Sequence, residues 1–169
     1  MNDTVIMGTI ATPAGTLSAA FSPEGLGYLG FHSEGWASCE RWVRRWLPQA
    51  RVEQGGQPLD DLAEQLSAYF AGTLRVFDIP LDLRGTPFQV AAWRALLEVG
   101  YGEVRSYSAH AAAIGRPTAI RAVGAANGAN PISILVPCHR LVGKNGALVK
   151  YGGGLNIKRQ LLELEGVAL

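Results

Sequence analysis

The sequence predicts an α+β protein of two domains, an α/β domain over residues 1–80 and a mostly helical domain over residues 81–169. Apolar and polar residues alternate between turn signals over residues 4–31, which is the period of β-strands. Apolar residues recur at helical spacing through most of the remaining chain. A polar break at residues 81–87 separates the halves, and 169 residues suffice for one large core or two small ones.

The N-terminal domain is predicted to begin with an antiparallel three-stranded meander. Its strands cover residues 5–10, 17–21 and 26–31, with proline- and glycine-containing turns between them. Two amphipathic helices are expected next, at residues 36–47 and 59–70. Their tryptophan and tyrosine side chains are interpreted as core residues, because large aromatic residues at helical spacing usually pack inside a domain.

The C-terminal domain is predicted to open with a helix capped by Thr86 and carrying proline at its first position. A helix-turn-helix candidate follows. Ser106 or Ser108 caps the first helix, residues 115–117 form the turn, and residues 118–127 form the second helix. The pattern alone is not specific, since many helical hairpins bind no nucleic acid.

The last forty residues are predicted to contain a strand, a loop and a helix. An apolar run at residues 132–136, bracketed by prolines, is interpreted as a buried strand. Residues 146–154 form a flexible glycine-rich loop, and residues 156–165 a final amphipathic helix. Cys138 would then lie where a strand ends, a position from which side chains often act.

Composition and charge restrict the function classes. The chain has no apolar run long enough to span a membrane, and Met1 is not followed by the pattern of a signal peptide. Its two cysteines are far apart and form neither a disulfide framework nor a metal pair, so we expect a reduced, cytoplasmic protein without a metal site. The net charge is −5 over residues 1–83 and +6 over residues 84–169. A basic half suits an anionic partner such as nucleic acid, although an ordinary basic surface gives the same count.

Cys138 is the candidate nucleophile. It stands in the segment Pro137-Cys138-His139-Arg140-Leu141, and a neighbouring imidazole and guanidinium are expected to favour the thiolate. The neighbours of Cys39 offer no comparable activation. A buried structural cysteine is the alternative that this short segment leaves open.

The second helix of the helix-turn-helix candidate is rich in alanine and glycine, which would let its backbone approach a partner closely. Arg121 stands out from this background of small residues. A solvated surface arginine is the alternative at this point.

Several motifs in the same order resemble the O6-alkylguanine-DNA alkyltransferase family. They are residues 137–140, the preceding residues 121–124 with Asn130-Pro131, and residues 151–154 followed by Lys158 and Glu165. The resemblance is strong over residues 81–169, whereas the first 80 residues agree only in size and coarse pattern. It implies an RNase H-like N-terminal domain and a C-terminal domain of winged-helix or helix-turn-helix type that holds the active cysteine.

The resemblance implies direct reversal of DNA damage. Such proteins bind double-stranded DNA through the minor groove and rotate the alkylated nucleotide out of the stack, because a side chain cannot otherwise reach the alkyl carbon. They move the alkyl group from O6 of guanine, and we expect also from O4 of thymine, irreversibly to their own cysteine. Each molecule reacts once and needs no cofactor. A monomer is implied, and cooperative association along DNA stays open.

The resemblance also assigns catalytic roles. Cys138 attacks as a thiolate, His139 takes its proton through a water, and Glu165 orients the histidine. The carbonyl groups of Cys138 and Leu141 accept from the exocyclic amine of guanine.

Further residues are implied to assist. Tyr107 donates to guanine N3, while Lys158 and the Gly152 backbone N–H stabilise charge that develops near O6. Asn130 connects the turn before the predicted strand to the cysteine.

Two larger sets follow from the same resemblance. The residues implied to contact DNA are Thr118, Ala119, Arg121, Ala122, Gly124, Ala125 and Asn127. The residues implied to form the base pocket are Val136, Pro137, Leu141, Val149, Lys150, Tyr151, Gly152 and Gly153.

The chain departs from the family pattern at two positions. Lys150 stands where many bacterial members have glycine, and Gly152 replaces a serine found in some members. The second difference predicts a roomier pocket that accepts groups larger than methyl.

Three other functions are weighed against alkyl transfer. A thiol hydrolase would leave the helix-turn-helix unexplained, and a module that only binds alkylated DNA would not need Cys138. A transcriptional regulator would need a further regulatory domain or metal site.

Overall fold

The computed structural model describes residues 3–31 and 35–169, and the chain divides into two compact units at the bond between Arg84 and Gly85. The first unit contains the elements β1 (Thr4–Thr12), β2 (Gly15–Ser22), β3 (Gly25–Phe31), α1 (Trp36–Trp46), β4 (Arg51–Gln54) and α2 (Gln57–Phe70). In the described part of the chain, no helix has both the length and the apolar character needed to cross a membrane.

The sheet of the first unit is mixed and has the strand order β3-β2-β1-β4. The predicted antiparallel meander is confirmed for β1, β2 and β3. The prediction of three strands is wrong, because β4 pairs parallel to β1, with Val5 opposite Val52. All four residues of β4 are exposed, so this edge strand lacks the apolar alternation by which sequence reasoning recognises strands.

Helices α1 and α2 cover opposite faces of the sheet. Successive strand residues point to opposite faces, and on one of them Val5 and Met7 pack with Trp42 of α1 in one core cluster. The other face carries Gly8, where a Cβ would collide with Leu59 of α2. The tryptophans and tyrosines predicted to be core residues are buried or partly buried here, as expected.

The second unit contains four helices and two short strands within its described residues. The elements are α3 (Pro87–Leu96), β5 (Arg105–Ser106), α4 (Tyr107–Ala113), α5 (Ile120–Gly128), a 3-10 turn (Cys138–Arg140), β6 (Leu141–Val142), a second 3-10 turn (Lys144–Gly146) and α6 (Leu155–Leu164). Strands β5 and β6 pair in parallel, so the chain just before α4 lies beside the chain just after Cys138.

The predicted helix caps are confirmed. Thr86 accepts from the backbone N–H of Gln89, and the Gln89 side chain returns a hydrogen bond to the Thr86 backbone, which completes a capping box. Of the two serines considered, Ser106 caps α4 by accepting from the N–H of Ala109 at 3.1 Å. The turn closes when the N–H of Ala119 bonds to the Arg116 carbonyl, so α5 begins at Ile120 rather than at residue 118.

Two buried side chains lock the helices of the second unit together. The indole N–H of Trp93 on α3 donates to the Ala126 carbonyl of α5 at 2.8 Å. His110 on α4 hydrogen-bonds through Nε2 to the Ala92 carbonyl at 2.9 Å, and its Nδ1 faces the Arg105 guanidinium at 3.0 Å. Burial lowers the pKa of His110, so the ring is neutral and accepts at Nδ1. These bonds hold the outer face of α5 in a defined orientation.

Candidate functional site

Cys138 begins a 3-10 turn that follows a tight apolar turn, so the strand predicted at residues 132–136 is wrong. The N–H of Val136 bonds back to the Ile132 carbonyl at 3.1 Å, and Ile134 has a φ of 72°, a conformation that branched residues rarely adopt. A short apolar run does not distinguish a buried strand from a buried turn. The prolines at both ends lack the N–H groups that a sheet ladder needs.

The Asn130 side chain supplies hydrogen bonds to the backbone of residues 132–136 that a neighbouring strand would supply in a sheet. Its Nδ2 donates to the carbonyls of Val136 at 2.9 Å and Ile132 at 3.2 Å, and its Oδ1 accepts from the Ile132 N–H at 3.0 Å. A hydrogen bond from Asn130 also acts on Cys138 and opposes the rise in its pKa. One amide therefore closes the turn and reaches the thiol.

Burial raises the pKa of the Cys138 thiol, which is only 6% exposed. Hydrogen bonding from Asn130, the charge of Lys158 and nearby backbone N–H groups oppose this rise without overcoming it. The expectation that the side chains adjacent in sequence would favour a resting thiolate is therefore wrong. The side chains of His139 and Arg140 bind Glu165 instead, and the positive charge near the sulfur comes from Lys158, twenty residues along the chain.

Glu165 is shared by two neighbouring residues in a buried cluster. His139 lies with Nε2 2.7 Å from Glu165 Oε2. Arg140 donates through Nε to Oε1 at 2.8 Å and through Nη2 to Oε2 at 3.1 Å, while its Nη1 donates to the Val99 carbonyl at 2.7 Å. The Glu165 side chain is fully buried, and the fork of hydrogen bonds from Arg140 balances its charge.

His139 is a neutral base with one nitrogen available. Burial lowers its pKa, Arg140 and Lys158 lower it further, and these effects outweigh the opposing effect of Glu165. Because Nε2 donates to Glu165, the other nitrogen, Nδ1, carries the free lone pair. Among the described residues Nδ1 has no hydrogen-bond partner. This is the protonation state that a general base requires.

Lys158 is fully buried in α6, contrary to the surface position that is usual for lysine. Its Nζ donates to three backbone carbonyls, those of Leu141 at 2.6 Å, Val149 at 2.9 Å and Lys150 at 3.5 Å. Burial lowers its pKa to about 8, an effect that Cys138 opposes. An ammonium group has three N–H donors and all three are used. Lys158 therefore acts on the site through its charge and by anchoring the loop.

The side chain of Cys138 opens into a cleft of about 540 Å³. Its walls are formed by Tyr107, Gly124, Asn127, Gly128, Lys150, Tyr151, Gly152, Gly154 and Leu155. Tyr107 is the first residue of α4, and its ring centroid lies 6.0 Å from Lys158 Nζ. Burial raises the pKa of Tyr107, so the phenol keeps its proton and can donate a hydrogen bond.

A wider groove of about 1130 Å³ adjoins this cleft and runs along the outer face of α5. The two spaces share Tyr107, Gly124, Gly128 and Lys150 as walls. Arg121 lines the groove, and a Cβ added at Gly124 would meet no atom within 4 Å. A ligand lying in the groove would therefore have a direct path to Cys138.

Most of the residues predicted to contact DNA lie on this outer face. Arg121, Ala122 and Ala125 are exposed, and Gly124 is half-buried. Thr118 and Ala119 precede the helix instead of belonging to it.

Asn127 departs from the prediction. It is only 8% exposed, and its Nδ2 donates to the Cys138 carbonyl at 3.3 Å. Because the helical period turns this residue to the inner side of α5, its side chain does not line the wider groove on the outer face.

The predicted pocket residues separate into two groups. Lys150, Tyr151 and Gly152 line the cleft, and Val149 lines the adjoining groove. Val136, Pro137 and Leu141 are buried and belong to the turn and strand that support Cys138, and Gly153 is not a wall of either space. The apolar character of the first three residues indicates such a supporting position.

The sequence did not predict that Arg140 binds Glu165 or that Asn127 binds the Cys138 carbonyl. From the sequence, Arg140 is interpreted only as a neighbour of the thiol, whereas its guanidinium donates two hydrogen bonds to the Glu165 carboxylate. A charged residue between His139 and the apolar pair Leu141-Val142 needs a buried partner, and this was the one available signal.

Two family models cover nearly the whole chain. Residues 5–83 match the ribonuclease-like domain of 6-O-methylguanine DNA methyltransferase, and residues 87–167 match the DNA binding domain of the same family. The predicted fold class, an α+β protein with an RNase H-like first part, is thereby confirmed.

Individual relatives agree with these matches. The methylated-DNA–protein-cysteine methyltransferase of Mycobacterium tuberculosis H37Rv is 56% identical over 120 residues, which are 71% of this chain and 69% of the relative. The protein of the same name from Methanosarcina acetivorans is 46% identical over 155 residues, covering 92% of this chain and 94% of the relative. The crystal structure of Mycobacterium tuberculosis OGT in complex with DNA has a TM-score of 0.82 and 46% identity, and covers 95% of this chain and 92% of that chain. This chain therefore belongs to the 6-O-methylguanine DNA methyltransferase family.

Proposed function

We propose that this protein repairs alkylated DNA by direct reversal, transferring the alkyl group from O6 of guanine to Sγ of its own Cys138 in a single turnover. The observation that carries the proposal is the cleft at Cys138, which opens onto the groove along α5. O4-alkylthymine is proposed as a second substrate. No cofactor takes part in the reaction.

The chemical step is a displacement at the alkyl carbon. Cys138 loses its proton to Nδ1 of neutral His139 through a water, and Glu165 and Arg140 hold the imidazole in place. The sulfur lone pair forms the S–C bond while the C–O6 bond breaks. The electron pair of the C–O6 bond remains on the guanine. Protonated His139 then gives this proton through the water to the guanine anion, so the products are restored guanine, neutral His139 and an S-alkylcysteine.

The surrounding residues lower the barrier to this step. The buried charge of Lys158 stabilises the thiolate and the negative charge that develops on guanine. Tyr107 donates to guanine N3, and the backbone N–H of Gly152 faces O6. The carbonyls of Cys138 and Leu141 accept from the exocyclic amine and thus select guanine. Asn130 keeps the turn before Cys138 closed.

Binding to double-stranded DNA is assigned to the outer face of α5, which we place in the minor groove. Small residues let the helix backbone approach the bases, and Arg121 fills the space left by the extruded nucleotide. Repair must work in any sequence context, so phosphate contacts and shape are sufficient. Residues 81–169 would form the DNA-binding and alkyl-accepting domain and residues 1–80 a structural one, in a cytoplasmic monomer.

Intact-protein mass spectrometry after incubation with a duplex that contains O6-methylguanine tests the proposal. The wild-type protein and Cys39→Ser should gain one methyl group per molecule, and Cys138→Ser should gain none. An undamaged duplex serves as the control. Binding without a gain in mass would identify a damage-binding module, and repair of more than one lesion per molecule would identify a thiol hydrolase; either result refutes the proposal.

A further inference from the structure

Asn127 connects the helix that faces DNA with the reactive cysteine. It belongs to α5, whose outer face lines the groove, but its own side chain is buried and lines the cleft at Cys138. Its position therefore suits a role inside the site better than a contact with the DNA backbone.

The amide of Asn127 contacts two groups of the cleft. Nδ2 donates to the Cys138 carbonyl at 3.3 Å, and the Asn127 side chain also hydrogen-bonds to the Tyr107 hydroxyl, which lowers the pKa of that phenol. Because Oδ1 of Asn127 has no hydrogen-bond partner among the described residues, the contact with Tyr107 is made by Nδ2, which can only donate. An amide nitrogen carries two N–H groups, so it can serve both acceptors at once.

This arrangement determines where the proton of Tyr107 points. A phenol has one proton to donate and lone pairs with which to accept. When the oxygen of Tyr107 accepts from Asn127, its own O–H must turn to another acceptor, and Tyr107 lines the open cleft. Among the described residues Oδ1 of Asn127 has no hydrogen-bond partner. A buried amide that serves only the stability of the fold would be expected to have all its polar atoms hydrogen-bonded.

We propose that Asn127 is a positioning residue for guanine recognition, whose amide NH2 aligns the Tyr107 hydroxyl with guanine N3 and the Cys138 carbonyl with the exocyclic amine. The inference rests on the proposed function. The acceptor N3 and the donor exocyclic amine of guanine are then recognised by two groups, the Tyr107 hydroxyl and the Cys138 carbonyl, that the Asn127 side chain holds in place. Arg121 is on the same helix as Asn127. A single rigid element, α5, therefore carries both the residue that contacts DNA and the residue that positions the groups recognising the extruded base.

The test compares single-turnover rate constants on three duplexes. They contain O6-methylguanine, O6-methylhypoxanthine, which lacks the exocyclic amine, and O6-methyl-3-deazaguanine, which lacks N3. Asn127→Leu keeps the shape of the side chain and removes its N–H groups. We expect it to lower the rate on O6-methylguanine about tenfold, as for the loss of one aligned hydrogen bond, and to change the rate on each analogue clearly less. Affinity for undamaged DNA should stay the same.

Controls separate this role from a structural one. Asn156→Leu makes the same change at an exposed position of α6 and should leave all rates unaltered. Asn127→Ser keeps a hydroxyl donor and should be faster than Asn127→Ala on O6-methylguanine, with melting temperatures showing that each variant is folded. Equal losses on all three duplexes, no loss on any, or equal rates for the serine and alanine variants would overturn the inference. Failure of the wild-type protein to accept a methyl group would instead overturn the proposed function.

Discussion

Cys39 in the first unit and Cys138 in the second are both buried, yet their surroundings differ in charge and access. Cys39 is fully buried and packs in a cluster with Trp42 and Val43. Burial and the nearby carboxylate of Glu40 raise the pKa of Cys39 to about 12. Burial also raises the pKa of Cys138, but there a buried ammonium and an amide donor act in the opposite direction.

The comparison shows that the local sequence of a cysteine is a poor guide to its reactivity. Each cysteine has an arginine two positions further along the chain, Arg41 or Arg140, and neither arginine is among the groups that lower the pKa of the thiol. The difference arises from the Asn130 amide and the charge of Lys158 on α6, which both act on Cys138, and from the cleft that leads to the sulfur. Reactivity requires both a nearby positive charge and a path for the substrate.

The largest expected difference is in the reaction of the two thiols with iodoacetamide. At pH 8 a thiol with the pKa of Cys39 is a thiolate in only about one molecule in ten thousand. We expect Cys138 in the folded protein to be modified at least about a hundredfold faster than Cys39, because Cys39 is also inaccessible. Peptide mass spectrometry measures both rates, and protein unfolded in urea is the control in which the two rates converge. Equal rates in the folded protein would contradict the comparison.

Two carboxylates at the end of α6, Glu165 beside the Cys138 turn and the exposed Glu163, should differ in their effect on stability. Glu165→Gln removes the charge that balances Arg140 in a buried cluster, so we expect the free energy of unfolding to fall by about 3 kcal/mol. Glu163→Gln, two residues earlier, breaks only an exposed pair with Arg159 at 3.9 Å and should change stability by less than about 0.5 kcal/mol. Urea unfolding of both variants provides the measurement. A small loss for Glu165→Gln would mean that Arg140 is adequately solvated without it.

Removing the positive charge of Lys158 should make the environment of Cys138 resemble that of Cys39. Lys158→Met is expected to slow methyl transfer about thirtyfold at pH 7, because the ammonium no longer stabilises negative charge and no longer anchors the loop. Wild-type Lys158 has a pKa of about 8, so it is protonated below that pH and loses its charge above it. The ratio of wild-type to variant rates should therefore decrease as pH rises from 7 to 9.5.

Arg159→Met is the matched control for this charge, since Arg159 is the next residue of α6 and is exposed. It should leave the transfer rate unchanged at every pH. A ratio for Lys158→Met that is independent of pH would indicate that the lysine acts only as a structural anchor.

The smallest expected effect concerns the spare room in the cleft at Cys138. A Cβ added at Gly152 would meet no atom within 4 Å, whereas one added at Gly27 would collide with Trp42, next to Cys39. Gly152→Ser should therefore fold normally and reduce the rate on O6-benzylguanine severalfold relative to O6-methylguanine. Competition between the two substrates measures this ratio. An unchanged ratio, or a strong preference of the wild-type protein for methyl, would refute the hypothesis of a roomier pocket.

The sequence by itself determined the features that depend on neighbouring residues. The three antiparallel strands, the capped helices α3 and α4, and the turn between α4 and α5 follow from alternation, capping residues and a glycine in the turn. The order of motifs around Cys138 was sufficient to indicate the family. These features are local, so the residues within a few positions of each other contain the necessary information.

Only the tertiary structure decided the features that join distant segments. The exposed strand β4 pairs with residues of β1 that lie 47 positions earlier in the chain, and the Asn130 amide closes an apolar run into a turn. Lys158 is buried because the carbonyls of Leu141, Val149 and Lys150 accept hydrogen bonds from its ammonium group. Arg140 likewise binds Glu165 at the end of α6. Burial and charge pairing depend on which segments meet in space, and no local pattern encodes them.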